Sequence, residues 1–270
     1  MEGNDHMSIL EAIILGIVQG FSEFLPISSS GHLVLLQKIF GIQEGALTFD
    51  IALHLATLAA VVVVYRKKLL EILKRPFSKL PVYIVLGTIP IGILGLLFND
   101  IIERFFETGA TLGAGFIFTG IVLMLADNTG KKERDLEKMK VSDPLLIGTA
   151  QAVAMLPAVS RSGMTISSAL ALGIERKTAA DFSFLLSIPA ILAAVVMDGY
   201  KIVKTGENTL ATIGTAPIAL GMLFAAVTGF FAVKVMIKLI QNRGLKYFSW
   251  YLWVLGALVL LDQLVLHIFF

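Results

Sequence analysis

Gln19-Gly20-Phe21-Ser22-Glu23-Phe24-Leu25-Pro26-Ile27-Ser28-Ser29-Ser30-Gly31-His32 is the stretch on which the reading of this chain turns. It lies inside apolar sequence, yet it carries a carboxylate, an imidazole, adjacent hydroxyls and two chain breakers. The apolar arms beside it, Ile9 to Val18 and Leu33 to Phe40, are each shorter than the ~20 residues needed to cross a bilayer. Pro26 and Gly31 interrupt the helix between them. The pattern predicts a hairpin that enters the membrane, unwinds near its middle and returns to the same side. Irregular backbone at that depth is tolerated only where it lines a cavity. Ionisable side chains there are functional candidates by default.

The stretch recurs as Gln151-Ala152-Val153-Ala154-Met155-Leu156-Pro157-Ala158-Val159-Ser160-Arg161-Ser162-Gly163. Gln19 and Gln151 are 132 residues apart, as are Gly31 and Gly163, and Gly16 and Gly148; the prolines slip by one. This shared offset indicates an internal duplication. Across it Glu23 faces Met155, Ser29 faces Arg161 and His32 faces Met164. One copy keeps the acid–base groups, and the other supplies a fixed positive charge.

Composition agrees. The 270 residues are 56% hydrophobic, with a mean hydropathy of +0.84, far above soluble domains. Cysteine is absent, which excludes disulfides and thiolate metal sites. Four histidines without an HExxH pattern argue against a zinc enzyme. Residues 1–7 read as an added leader with the native start at Met7, and no signal peptide is expected. Spans are expected at Phe49–Tyr65, Pro81–Phe98, Thr111–Ala126, Thr178–Met197, Ile213–Val233 and Trp250–Phe269, with the second hairpin at about Asp143 to Leu172. Pro90 and Pro217 are read as equivalent positions in the two halves. The fold class expected is an all-α integral membrane protein: six transmembrane helices plus two re-entrant helical hairpins, arranged as an inverted-topology repeat. It divides into residues 8–127, a charged loop at 128–143, and 144–270.

Most of the 22 basic residues fall on one side of this topology, in the loops after Tyr65, Ala126, Leu172 and Val233. The positive-inside rule makes that side cytoplasmic and leaves both termini outside. Three spans after each hairpin reverse the next copy, so the broken tips meet near the midplane, as in transporter folds.

At the tips two half-helices begin, near Gly31 and Gly163, with free N–H groups and positive dipole ends. Ser28, Ser30, Ser160, Ser162, Gly163 and Thr165 add donors, and Arg161 adds a planar fork suited to phosphate. Gln19 and Glu23 are four apart and share a helix face. A carboxylate facing a phosphate site calls for a bridging cation, so Mg2+ or Ca2+ held by Glu23 and Gln19 is expected. Ser29 beside His32 and Glu23 supplies a nucleophile with proton carriers. Other assignments stay open: His32 or water as the attacking group, and Arg161 as a structural partner of Glu23. His54, four residues after Asp50, is read either as a packing pair or as a cavity residue. Ser22 and Ser168 read as backbone-bonded, and Asp181, Asp262 and His267 as solvated near span ends.

Three segments carry a resemblance: Gln19 to Glu23 as Glu/Gln-x-x-x-Glu, Pro-Ile-Ser-Ser-Ser-Gly-His at Pro26 to His32, and Pro-Ala-Val-Ser-Arg-Ser-Gly-Met-Thr at Pro157 to Thr165. They resemble the undecaprenyl-diphosphatase family of bacteria, of the bacitracin-resistance type, over nearly the whole chain from Ser8. The resemblance implies hydrolysis of undecaprenyl diphosphate to undecaprenyl phosphate and inorganic phosphate, with divalent-cation dependence, in the bacterial plasma membrane. It implies functional roles at Glu23, Ser29, His32 and Arg161. Two positions depart from the family pattern: Gln19 replaces a glutamate, and Ala158 stands where many members have glycine. The Ser-Gly-His run is also similar to a phosphatidic-acid phosphatase motif, but no histidine follows Arg161 until His267. The partners expected are a polyprenyl diphosphate and the bilayer. A homodimer is compatible with them, and nucleic acid is excluded. A secondary transporter or lipid flippase is the competing reading, and the nucleophile-like Ser29 beside His32 argues against it.

Overall fold

The computed structural model describes residues 7–42, 46–130, 133–205 and 213–270. Most of the leader, Lys131 and Lys132 of the charged loop, and the side chain of Arg243 lie outside the described residues. Among the described residues the regular structure is helical, save one isolated bridge between Arg134 and Ile174. In order the helices are α1 (Ile9–Phe24), α2 (Ser29–Phe40), α3 (Ala46–Lys74), α4 (Lys79–Thr108), α5 (Leu112–Asp127), α6 (Ser142–Val153), α7 (Arg161–Ala171), α8 (Arg176–Thr205), α9 (Thr215–Arg243) and α10 (Lys246–Leu261). Five of them, α3, α4, α8, α9 and α10, are long and apolar enough to cross a membrane, and α5 is a shorter apolar helix. The protein is a multi-pass membrane protein.

Local chemistry sets the breaks. α1 starts in a reciprocal cap: Ser8 Oγ accepts from Glu11 N–H, and the Glu11 carboxylate accepts from Ser8 N–H at 2.8 Å. It stops at Leu25, because the residue before a proline is pushed to extended backbone. At 1.5 Å per residue the 16 residues of α1 reach roughly 24 Å and the 12 of α2 roughly 18 Å, short of the ~30 Å hydrocarbon core. Ser28 and Ser160 are the N-caps of α2 and α7, accepting from Gly31 N–H at 3.3 Å and Gly163 N–H at 3.0 Å. Gly41, at φ 72°, closes α2 in the left-handed conformation.

The two halves run through their elements in the same order, a broken pair followed by three further helices, and they exchange partners. α1 packs on α9, α6 packs on α4, α3 lies against α8, and α5 lies against α10. The crossings rest on matched glycines. A Cβ at Gly16 collides with the Gly221 carbonyl, and a Cβ at Gly148 collides with the Gly87 carbonyl. Lipid tails are as apolar as leucine, so such helices associate by close van der Waals approach rather than by hydrophobic burial.

Among the described residues three ion pairs gather at one end of the bundle, while Lys201 and Asp198 pair toward the other end of α8. Lys68 Nζ meets Asp181 Oδ2 at 2.6 Å, Arg176 meets Asp127 at 2.6 Å, and Arg134 pairs with Asp143. At the other end Lys38 Nζ lies 4.9 Å over the Phe270 ring, and Gln263 Nε2 donates to Gly109 O at 2.7 Å.

Three expectations are corrected. Pro217 lies in the first turn of α9, where a missing N–H costs no intrahelical bond; its counterpart is Pro81 in the first turn of α4, while Pro90 sits inside α4. Asp181 is paired with Lys68 and accepts from Tyr65 Oη–H at 2.7 Å. Asp262 is buried and accepts from the N–H groups of Ile268 and Phe269, so it ties down the C-terminal turn.

The glycine crossings yield a direct test. Gly148→Leu is expected to destabilise the fold by about 2 kcal/mol or more through overpacking against α4. Gly92→Leu, where an added Cβ meets open space, is expected to stay within about 0.5 kcal/mol. Thermal unfolding of the detergent-purified variants reads both.

Candidate active site

The tips of the two hairpins touch. Arg161, first residue of α7, sends an NH2 group to Glu23 Oε1 at 2.6 Å. Ser162 Oγ–H donates to the Leu25 carbonyl at 3.1 Å. A Cβ at Gly31 collides with Ala158 and Phe116, so only glycine at the head of α2 lets the second tip approach this closely. The second tip is also held from α5. Thr119 Oγ1–H is shared between Gly115 O at 2.9 Å and Ala158 O at 3.2 Å, and Thr119 Oγ1 accepts from Ser160 N–H at 3.2 Å. Ser28 at φ 69° and Ala158 at φ 61° lie in the left-handed region, one in each tip. Non-glycine residues there store strain that the surrounding contacts must hold.

Glu23 is the hub. Its side chain is only 6% exposed. Oε1 takes Arg161; Oε2 accepts from Ser29 Oγ–H at 2.6 Å and from Gln19 Nε2–H at 3.1 Å. Ser29 is the first residue of α2 and Arg161 the first of α7, so the duplicated position supplies a hydroxyl in one copy and a guanidinium in the other. Both side chains converge on one carboxylate.

His32 is placed differently from expectation. Its Nδ1–H donates to Ser28 O at 2.7 Å, and Nε2 lies 2.6 Å from Tyr251 Oη on α10. The imidazole stacks on Tyr251 at 5.8 Å and meets the Phe116 ring edge-on at 5.3 Å. Three residues of helix put His32 and Ser29 on one face, but the carbonyl of the preceding turn and the tyrosine claim both ring nitrogens. Ser29 is engaged by Glu23 instead.

The other hydroxyls serve the tips themselves. Ser28 and Ser160 cap their helices and lie 3.2 Å and 3.3 Å from the hydroxyls of Ser30 and Ser162. Thr165 Oγ1 is buried and bonded to the Arg161 carbonyl and to Ser183 Oγ at 2.6 Å. Ser29 and Ser30 are the half-buried members of the set. Among the described residues several buried polar atoms have no partner: Arg161 NH1, Gln19 Oε1 and both amide atoms of Gln151. Gln151 is the duplicate of Gln19, fully buried, with Met155 where Glu23 stands.

Two residues of the site are not assigned by the sequence. Tyr251 gives no signal there, being one aromatic in an apolar span. His54 has two open readings, and the structure brings its Nε2 to 3.7 Å from Glu23 Oε2.

A family model described as bacitracin resistance protein BacA matches residues 12–258. The chain belongs to the BacA family. Its relatives include the undecaprenyl-diphosphatase of Carboxydothermus hydrogenoformans, 48% identical over 257 residues that cover 95% of this chain and 98% of that protein. Undecaprenyl-diphosphatase 3 of Bacillus cereus is 43% identical, covering 95% and 98%. The undecaprenyl-diphosphatase of Methanobrevibacter smithii is 36% identical over 284 residues, covering 97% and 100%. The matched region of this BacA-family chain contains both tips and every residue around Glu23.

The residues around Glu23 suit a divalent cation that takes few ligands from the protein. Among the described residues no group of three or more His, Asp or Glu gathers, so an all-protein cage is not built here. One carboxylate beside an unpartnered buried amide oxygen, Gln19 Oε1, does suit an ion of the Mg2+ kind, which keeps few protein ligands and takes the rest from substrate phosphates and water.

The ion pair between the tips predicts a specific energetic pattern. Arg161→Met strands Glu23 without its cation and is expected to destabilise by about 3 kcal/mol. Adding Glu23→Gln to that variant is expected to restore most of the loss, since no buried charge then remains unpaired. Unfolding midpoints in detergent of wild type, Arg161→Met, Glu23→Gln and the double variant check the cycle.

Proposed function

We propose that this chain hydrolyses undecaprenyl diphosphate to undecaprenyl phosphate and inorganic phosphate, returning a lipid carrier to cell-wall synthesis. The observation that carries the reading is the 2.6 Å hydrogen bond from Ser29 Oγ–H to a carboxylate whose other oxygen is held by Arg161. A hydroxyl on a base, next to a guanidinium with a free NH1, is what phosphoryl transfer requires: nucleophile, proton acceptor and charge stabilisation. A carrier that moves its ligand unchanged needs no such pair.

In this reading Ser29 Oγ attacks the terminal phosphorus and passes its proton to Glu23 Oε2. The bond from that phosphorus to the bridging oxygen breaks, and undecaprenyl phosphate leaves. Water then attacks the phosphoserine and gives its proton to His32 Nε2 once Tyr251 gives way; Glu23 returns its proton to Ser29 Oγ as inorganic phosphate departs. Arg161 grips non-bridging oxygens throughout, using NH1 and releasing part of its hold on Glu23. The N-termini of α2 and α7, with Ser30 and the capped turns at Ser28, Ser160, Ser162, Gly163 and Thr165, shape the anion site. A divalent cation, Mg2+ or Ca2+, held by Glu23 with Gln19, would neutralise diphosphate charge.

The same reading extends to topology. Six spans and two re-entrant hairpins form inverted halves, residues 8–127 and 144–270, joined by the charged loop. The exchanged pairings, Gly16 on Gly221 and Gly148 on Gly87, support it, as does the gathering of three ion pairs at one end. The protein then lies in the bacterial plasma membrane with both termini outside. Glu23, Ser29 and His32 come from the outward-entering hairpin, so the cavity opens to the extracytoplasmic face.

Purified protein given substrate labelled in its terminal phosphate tests the chemistry. Wild type is expected to form an acid-stable phosphoserine. Ser29→Ala is expected to form none and to turn over at roughly 10⁻³ of wild type or less. Arg161→Lys, which keeps charge but loses the fork, is expected to lose roughly 10²-fold. A phosphohistidine, or full activity of Ser29→Ala, overturns the assignment of the nucleophile.

A further inference from the structure

His54 is the one imidazole among the described residues that faces Glu23. It sits on α3, and its Nδ1–H donates to the carbonyl of Asp50, one turn back, at 2.7 Å. A carbonyl can only accept, so that bond places a proton on Nδ1 and leaves Nε2 as the ring nitrogen nearest Glu23 Oε2, 3.7 Å away. At that separation no hydrogen bond joins them. Two potential donor atoms therefore lie 3.7 Å apart, within reach of one ion, and among the described residues Gln19 Oε1 is buried and unpartnered on the same amide whose nitrogen reaches Oε2. Rotation of that amide would exchange its two ends and put the oxygen where the nitrogen now stands beside Oε2. Arg161 holds the other carboxylate oxygen, Oε1.

We propose that His54 ligates the divalent cation through Nε2, beside Glu23 Oε2, and that this nitrogen donor sets the metal preference of the site. The proposal rests on the cation-assisted reading above and deepens it. Anchoring the far ring nitrogen on a backbone carbonyl is the arrangement that ligating histidines use to fix tautomer and direction. The His54 side chain is 28% exposed, so an ion can reach it, whereas Glu23 is 6% exposed and cannot be approached from every side. Two protein ligands leave positions for water and for diphosphate oxygens. An imidazole donor favours first-row ions such as Mn2+ over Ca2+, which prefers oxygen throughout.

Mn2+ bound to the full-length protein in detergent, read by pulsed electron paramagnetic resonance, tests this without turnover. Wild type is expected to show nitrogen modulation from a coordinated imidazole, changing to the 15N pattern in protein labelled with 15N-histidine. That labelling needs no variant. His32→Ala is expected to keep the modulation. His54→Ala is expected to lose it, to bind Mn2+ roughly 10-fold or more weakly, and to lose the preference for Mn2+ over Ca2+. Mn2+ bound without histidine modulation in wild type overturns the role of His54 and leaves the cation reading standing. The same holds if the modulation vanishes in His32→Ala and persists in His54→Ala. Failure of wild type to bind Mn2+ at all overturns both.

Discussion

The ion pair between Glu23 and Arg161 is the contact on which the arrangement depends. Each charge sits at the break of a pair of short helices, where the side chains are largely buried: Glu23 is 6% and Arg161 14% exposed. Alone, either would be costly in a membrane interior. Together they cancel, but only if the two tips meet within hydrogen-bond distance. That requirement reaches outward. It needs glycine at position 31 so that Ala158 can approach, and Thr119 to bond the buried Ala158 carbonyl and Ser160 N–H of the second tip. It also needs the long helices to hold the two hairpins end to end, which the glycine crossings of α1 on α9 and α6 on α4 accomplish.

The 132-residue offset between the two motif stretches relates the two sides of this one site. The first residue of the returning half-helix is Ser29 in one copy and Arg161 in the other. The carboxylate position is Glu23 in one and Met155 in the other. Had both copies kept a carboxylate, two like charges would face each other across the tips. Had both kept arginine, the nucleophile would be missing. Divergence at these positions gives a single polar centre with complementary parts. Gln151 remains as a buried amide whose partner carboxylate is absent.

Much of this arrangement is legible in the amino-acid sequence. Both hairpins, their breaks and most of the length of the six expected spans coincide with helices, because chain breakers and apolar run lengths act locally. The convergence of Glu23, Ser29, Arg161 and Gln19 also follows from the repeat offset. What stays hidden depends on tertiary crossings. Tyr251 lies 219 residues from His32 and reaches it only because α10 packs beside the first hairpin. His54 meets Glu23 across α1 and α3. The serines of the second tip read as ligand donors, and in the structure their hydroxyls cap and brace the tip, which composition cannot distinguish. Asp262 reads as solvated because it lies near the chain end, yet the last turn folds back over it.

The central claim is that one phosphate site forms where the tips meet, and that the anion takes Arg161 from Glu23. Tungstate, a heavy phosphate mimic, located by its anomalous scattering in crystals of the full chain, tests it most directly. The account predicts tungsten density between Ser29 Oγ and the Arg161 guanidinium, with the 2.6 Å contact between Arg161 and Glu23 lengthened or broken. Tungsten bound elsewhere, with that contact intact and the space between the tips holding no anion, would contradict it.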